Sequence, residues 1–311
     1  MSRTIRALGM CLALAVVAAC GNPITYPAAP PALSGQPAGT VVVPAGTDFA
    51  AAVERLRAAI TSGGGTVAAV VDNAADARGA GVEIPANTVV IGGSPAAHTP
   101  LVRVDQRAAL NLPERYLVLQ DESGAVEITY NGADFVAALS GVTTPEARAP
   151  LRDSITAVAG RAGPVATAPV AAPLVGVAPG GAVTTVFGSA DVRVTVDRLR
   201  RNAGKAPNRA VAVIDMAGDS GGSEPPLRPT SLILVSTPEV EGPLLAAAPS
   251  FGLELPMRFV VWDDEQNRTQ IGYPDVARLA ARHGIPAGDP GIARLTTDAD
   301  RLARLAAGII E

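Results

Sequence analysis

Cysteine is almost missing: the 311-residue chain holds two, Cys11 and Cys20. A small fold stapled by disulfides needs several pairs, so that class is excluded. Histidine is as scarce, at His98 and His283. A metal centre asks for several converging ligands, and these two lie far apart in the chain, so no metal is expected. Aromatic residues make up 3% of the chain, leaving few platforms for stacking sugars or bases. Lysine occurs once, at Lys205, and the net charge is −4 with no basic block, so nucleic acid is not an expected partner. Beyond the N-terminal segment no stretch approaches 18 uninterrupted apolar residues; the 48% apolar content is mostly alanine and valine spread evenly.

What is present begins at the N-terminus. Arg3 and Arg6 form a short positive region, and residues 7–18 form an apolar run too short to span a bilayer. The run closes on Val17-Ala18-Ala19-Cys20-Gly21, which resembles the lipobox of bacterial lipoproteins. That resemblance implies a signal peptide over 1–19 and a mature chain starting at Cys20. Its thiol would carry diacylglycerol, with acyl chains such as palmitate. Cys11 leaves with the signal peptide, so Cys20 is the sole cysteine of the mature chain. The expected location is the extracytoplasmic side of the cell membrane, held by lipid and not spanning it. Residues 20–38 read as a tether.

The body is a duplication. Asp72 and Asp215 are 215 − 72 = 143 residues apart. The same offset pairs Arg55-Leu56-Arg57 with Arg198-Leu199-Arg200, Pro95 with Pro238, Pro100-Leu101 with Pro243-Leu244, Leu112-Pro113 with Leu255-Pro256, and Tyr130 with Tyr273. The register needs no gap from about residue 40 to about residue 142. Two domains follow, 39–160 and 182–311, joined by an Ala/Pro/Gly-rich linker over 161–181. Each reads as a strand (40–43; 184–187) and then an amphipathic helix. In the first copy the helix is 48–60, with Phe49, Val53, Leu56 and Ile60 on one face. Asp48 and Asp191 fall in its first turn. A second strand (67–72; 210–215) runs into a Gly-rich loop. Strands follow at 88–91 and 231–235, then a short helical stretch near 101–110. Strands 116–119 and 125–130 flank the turn Asp121-Glu122-Ser123-Gly124. Closing helices are expected over 145–158 and over 298–309, the latter capped by Thr297. Hairpin-linked strands pair antiparallel, so the fold class is α+β, two copies of a strand-helix-four strands-helix domain with helices on one sheet face.

In copy two, Ile214-Asp215, Pro229-Thr230, Thr237-Pro238, Gly242-Pro243-Leu244, Leu255-Pro256, Trp262-Asp263-Asp264, Tyr273 and Ala280-Ala281-Arg282-His283-Gly284-Ile285 occur in that order. Copy one supplies Val71-Asp72, Ser94-Pro95, Thr99-Pro100-Leu101, Leu112-Pro113 and Tyr130. This succession resembles the domain-of-unknown-function 302 family across nearly the whole mature chain outside the linkers. The resemblance implies a TATA-binding-protein-like sheet and a tendency to pair, which duplication would make an intramolecular pseudo-dimer. The chain departs from the family's pattern at Asn73 and Met216, where histidine is common after the strand-end aspartate. It departs again in its turns Gly92-Gly93-Ser94-Pro95 and Val235-Ser236-Thr237-Pro238.

Chemistry is sparse. Gly218-Asp219-Ser220-Gly221-Gly222 imitates a serine-protease nucleophile segment, but Ser220 pairs with Ala77 at the 143 offset and lacks a histidine in its own repeat's equivalent place. Ser220 is therefore expected to be inert. His98 is expected at the surface, and His283, just before Gly284, at a helix C-terminus. Asp121-Glu122 and Asp263-Asp264-Glu265 read as solvated hairpin turns, lacking calcium-loop spacing. Asp72 and Asp215, ending strands before loops, are candidate binding residues, with helix capping as the plainer role. Pro95, Pro238, Tyr130 and Tyr273 join them as repeated candidates, with inward packing as the plainer role for the tyrosines. No catalytic residue and no cofactor is assigned. The expected function is non-catalytic binding of a small molecule or an envelope protein between the copies. The alternatives are an enzyme using the strand-end aspartates as acid and base, or an envelope spacer.

Overall fold

The computed structural model describes residues 36–163, 169–174, 176–177, 183–222 and 224–310. Residues 1–35 lie outside that set, and with them the signal segment, Cys20 and most of the tether.

Each repeat opens with a strand, β1 (Thr40–Gly46) or β7 (Val183–Phe187). Helix α1 (Phe49–Ser62) starts after Asp48, whose carboxylate accepts the Ala51 N–H at 2.9 Å. Helix α6 (Val192–Ala203) starts after Asp191, which accepts from Val194 at 2.8 Å. Both aspartates are N-caps just outside the first turn, each satisfying a donor that the helix leaves open. Strands β2 (Thr66–Asp72) and β8 (Arg209–Asp215) follow. The segments expected to be Gly-rich loops are instead short helices, α2 (Asn73–Gly79) and α7 (Met216–Asp219). The strand-end aspartates cap them and override the local glycines.

Strands β3 (Asn87–Gly93) and β9 (Thr230–Ser236) lead to α3 (Pro95–Val104) and α8 (Pro238–Ala247). A 3-10 turn follows each, Gln106–Asn111 or Pro249–Glu254. Hairpins β4 (Arg115–Gln120) with β5 (Val126–Asn131), and β10 (Met257–Asp263) with β11 (Thr269–Pro274), complete the sheets. Helices α4 (Ala133–Leu139) and α5 (Pro145–Ala162), α9 (Val276–Arg282) and α10 (Pro290–Ala307) close the repeats. The last helix starts well before residue 298. Its cap is Asp289, accepting from Gly291 at 2.8 Å, while Thr297 lies inside and donates its hydroxyl to the Ala293 carbonyl at 2.9 Å. The proline-led starts are 290 − 145 = 145 residues apart, so two residues enter the register before these helices.

The strand orders are β2-β3-β4-β5-β1 and β8-β9-β10-β11-β7, the same order in both repeats and antiparallel throughout. In the linker, β6 (Val170–Ala171) adds to the free edge of β1.

Side chains on a strand alternate faces, and here both faces are buried. Tyr116 and Tyr130 meet at 5.5 Å between ring centroids, and Phe259 and Tyr273 at 5.8 Å, on the helix-covered side. The Tyr273 hydroxyl reaches Asp300 of α10 at 3.1 Å. The opposite parity of β9 and β10, Leu232, Leu234, Val260 and Trp262, joins the core of the first repeat, while Ile233 and Val235 join their own. The layers therefore run helix, sheet, sheet, helix. Each 3-10 turn packs on the other repeat's sheet, and α2 packs on α8 as α3 does on α7. Gly252 in the second turn comes so close to Asn87, Asn73 and Leu117 that a Cβ would sit within 3.0 Å of them.

Candidate functional site

The joint between repeats is held by equivalent residues used twice. Asn87 Nδ2 donates to the Pro249 carbonyl at 2.9 Å, and Gln106 Nε2 donates to Thr230 Oγ1 at 2.7 Å. Positions 87 and 230 are equivalent at the 143 offset, as are 106 and 249. Such reciprocity is the signature of an isologous, two-fold interface, here formed within one chain.

At the centre of that joint lie two arginines that sequence reading passed over, Arg115 on β4 and Arg258 on β10, again 258 − 115 = 143 apart. Arg115 donates to the Leu255 and Pro256 carbonyls at 2.9 and 3.2 Å. Arg258 donates to Glu254 Oε2 at 2.6 Å. Arg282, at the end of α9, reaches Glu254 Oε1 at 2.6 Å, the Ala38 carbonyl at 2.7 Å and Asn131 Oδ1 at 2.5 Å, and lies 3.8 Å over the Phe135 ring. Burial alone would raise the Glu254 carboxyl, but Arg258, the His283 hydrogen bond and Arg282 overcome it and hold it well below the usual range. Burial lowers Arg282 to about 10 against the pull of Glu254. Burial, reinforced by the Arg258 charge, also pushes Arg115 well down.

His283 completes the cluster. Its backbone is the C-cap of α9, where the sequence placed it, but its imidazole turns inward. Nδ1 faces Ser250 Oγ at 2.9 Å and Nε2 faces Glu254 Oε1 at 3.3 Å, while burial lowers its proton affinity.

Beside the cluster opens a pocket of about 430 Å³, within the size range of small-molecule sites. Leu110 and Leu139 come from the first repeat, Val183, Arg258, Leu279 and Arg282 from the second. Ala38, at the end of the tether, and Val177 of the linker also line it.

The six repeated candidates do not converge there. Asp72 and Asp215 are exposed caps, accepting from Ala75 and Gly218, each at 2.9 Å. Pro95 and Pro238 occupy the first helical positions of α3 and α8. Tyr130 and Tyr273 are buried strand residues whose hydroxyls burial pushes up to about 12. Pro95 also lines a cleft of about 40 Å³ with His98, Met216 and Asp219. His98 is not on the surface: it is 3% exposed and bonded to Glu114 at 2.5 Å, a buried pair that satisfies both side chains. Asp121 and Asp264 each accept backbone N–H groups of their own turns. The Ser220 hydroxyl donates to the Ala217 carbonyl at 2.6 Å. Among the described residues, no group of three or more His, Cys, Asp or Glu is placed to hold a metal ion.

The model of the family described as "Domain of unknown function DUF302" matches residues 40–159 and again residues 183–305. The chain belongs to the DUF302 family. It carries two copies of the family's domain, and the matched spans coincide with the two sheets and their helices. Among solved structures it is similar to the crystal structure of an uncharacterised conserved DUF302 protein from Bacillus stearothermophilus. The identity is 18% and the TM-score 0.34, over 40% of this chain and 95% of that one. Among curated proteins it is 34% identical over 108 residues to the fluoride-specific ion channel FluC 1 of Brucella suis biovar 1, covering 35% of this chain and 42% of that protein. FluC 2 of Brucella melitensis biotype 1 matches at the same identity, with 40% of its length covered. The chain thus spans about two fifths of the curated relatives it matches.

Proposed function

We propose that this DUF302 tandem is a lipid-anchored, extracytoplasmic binding protein that takes a small molecule into the pocket between its repeats. The observation that carries the reading is the pocket itself: apolar walls, convergent arginines, and both repeats contributing. The aspartates of an acid–base enzyme are by contrast exposed helix caps on separate repeats. The anchor rests on Arg3, Arg6, the apolar run and Cys20 after Val17-Ala18-Ala19. Ala38 in the pocket wall would put the ligand where the tether meets the body. Channel activity stays with the Brucella proteins, of which the matched segment is a minor part. No helix among the described residues is long and apolar enough to cross a membrane.

Native mass spectrometry of the chain purified from its own envelope is the test. A retained small molecule, absent from Leu139→Trp, and an acylated Cys20 are expected. A wild-type pocket that is always empty overturns binding, and an unmodified Cys20 overturns the anchor.

A second reading rests on the order Ser250, His283, Glu254, in which the imidazole could take a serine proton. Two things weigh against it. Glu254 is already paired with two arginines, and Ser250 is not among the residues lining the pocket. A fluorophosphonate probe is expected to leave Ser250 unlabelled; labelling that vanishes in Ser250→Ala would establish a nucleophile there.

A further inference from the structure

Three guanidinium groups, of Arg115, Arg258 and Arg282, are buried around one carboxylate, Glu254. His283 adds no negative charge, and Glu114, just before β4, is occupied by His98. The cluster is therefore rich in positive charge, and buried charge calls for a partner. Two of its donors have none among the described residues: Arg258 Nε and an Arg115 terminal nitrogen. Arg258 is 1% exposed and forms part of the pocket wall.

The pocket breaks the two-fold symmetry of the joint. At the 143 offset, Leu139 corresponds to Arg282, Asn111 to Glu254, and Phe135 to Arg278. One wall of the pocket carries Arg282, stacked on Phe135 and tied to Asn131 and Glu254. In the same pocket the equivalent position of the first repeat holds the shorter, uncharged Leu139. Arg278 there turns to Asp275 at 3.6 Å with 65% of its side chain exposed. The 430 Å³ pocket lies between these two walls, with apolar lining and the Arg258 edge.

We infer that this pocket binds an aliphatic monocarboxylate, its carboxylate against Arg258 and its hydrocarbon along Leu110, Leu139, Leu279 and Val183. The inference rests on the pocket being a ligand site. Of the two unpartnered donors only that of Arg258 belongs to a pocket-lining residue, which suits a singly charged head; a phosphate, with more charge and more acceptor oxygens, would need more.

The test is calorimetric titration of the full chain carrying Cys20→Ser, so that no acyl chain of its own competes. Decanoate is expected to bind at one per chain, with decanol and acetate at least tenfold weaker. Arg258→Met should weaken decanoate at least tenfold, and Leu139→Trp should abolish its binding without lowering Tm. Should Arg258→Met fail to fold, the comparison of decanoate with decanol on the parent chain decides the role of charge. Equal binding of decanol overturns the carboxylate, and equal binding of acetate overturns the hydrocarbon. Failure of decanoate to bind overturns the ligand class. In that event a different molecule, retained in the native spectrum and lost in Leu139→Trp, leaves the binding function standing.

Discussion

Glu241 is a carboxyl with one oxygen accepting from Ser236 at 2.7 Å and the other lacking a partner among the described residues. Burial pushes it up to about 7 from an ordinary 4.5, with the Ser236 hydrogen bond opposing. The folded protein therefore holds the proton more tightly than the unfolded chain, and its contribution to stability falls as pH rises from about 4.5 to about 7. Glu241→Gln removes that ionisation. The variant is expected to match the parent at pH 5 and to exceed it at pH 8 by up to about 3 kcal/mol in urea unfolding. A variant no more stable than the parent at pH 8 would show that the carboxylate finds compensation. The same residue shows what was hard to read. Positions 98 and 241 are equivalent, yet one is histidine paired with Glu114 and the other a lone carboxyl bonded to serine. A single histidine on a short helix gives no sign of burial, because its partner lies sixteen residues on, just before β4. The Arg115 and Arg258 pair did leave a signal: a charged residue at the same place, at the head of two mainly apolar strands. It becomes informative only once the repeat register is applied to the arginines as well as to the aspartates.

At the scale of elements, most of the fold was legible because the duplication gives each segment a second instance. The strands that alternate or run apolar, the Leu-Pro before β4 and the acidic hairpin turns all fall within a few residues of their expected places. What failed was local. Glycine content suggested loops after β2 and β8, whereas an aspartate cap starts a helical turn there at little cost. The final helix was cut short because Thr297 looks like a cap, although Asp289-Pro290 is the stronger start. A site between the copies was expected, but the residues that line the pocket were not legible. The pocket arises where α9 and the end of the tether meet the first repeat's 3-10 turn, a juxtaposition set by docking and not by any segment alone.

For the molecule as a whole, the duplication converts a two-fold interface into an internal one. Both sheets bury their second face against the other repeat, and the joint carries Asn87, Gln106, Arg115 and Thr230 in hydrogen bonds across it. A face that apolar is costly to expose, since burial of apolar surface contributes about 25 cal/mol per Å². Internal linkage also frees the two halves to diverge. Only the second carries Arg282, whose counterpart in the first is Leu139, and both line the pocket between the halves. The linker should then matter for keeping the copies paired during folding and little for holding them afterwards. A protease site placed between Val177 and Val183, cut after folding, tests this. The two fragments are expected to co-elute at the mass of the intact chain in gel filtration at micromolar concentration, and to part only in denaturant. Fragments that separate on cutting would mean that the joint is weak, and that the pocket between the repeats exists only while the chain enforces it.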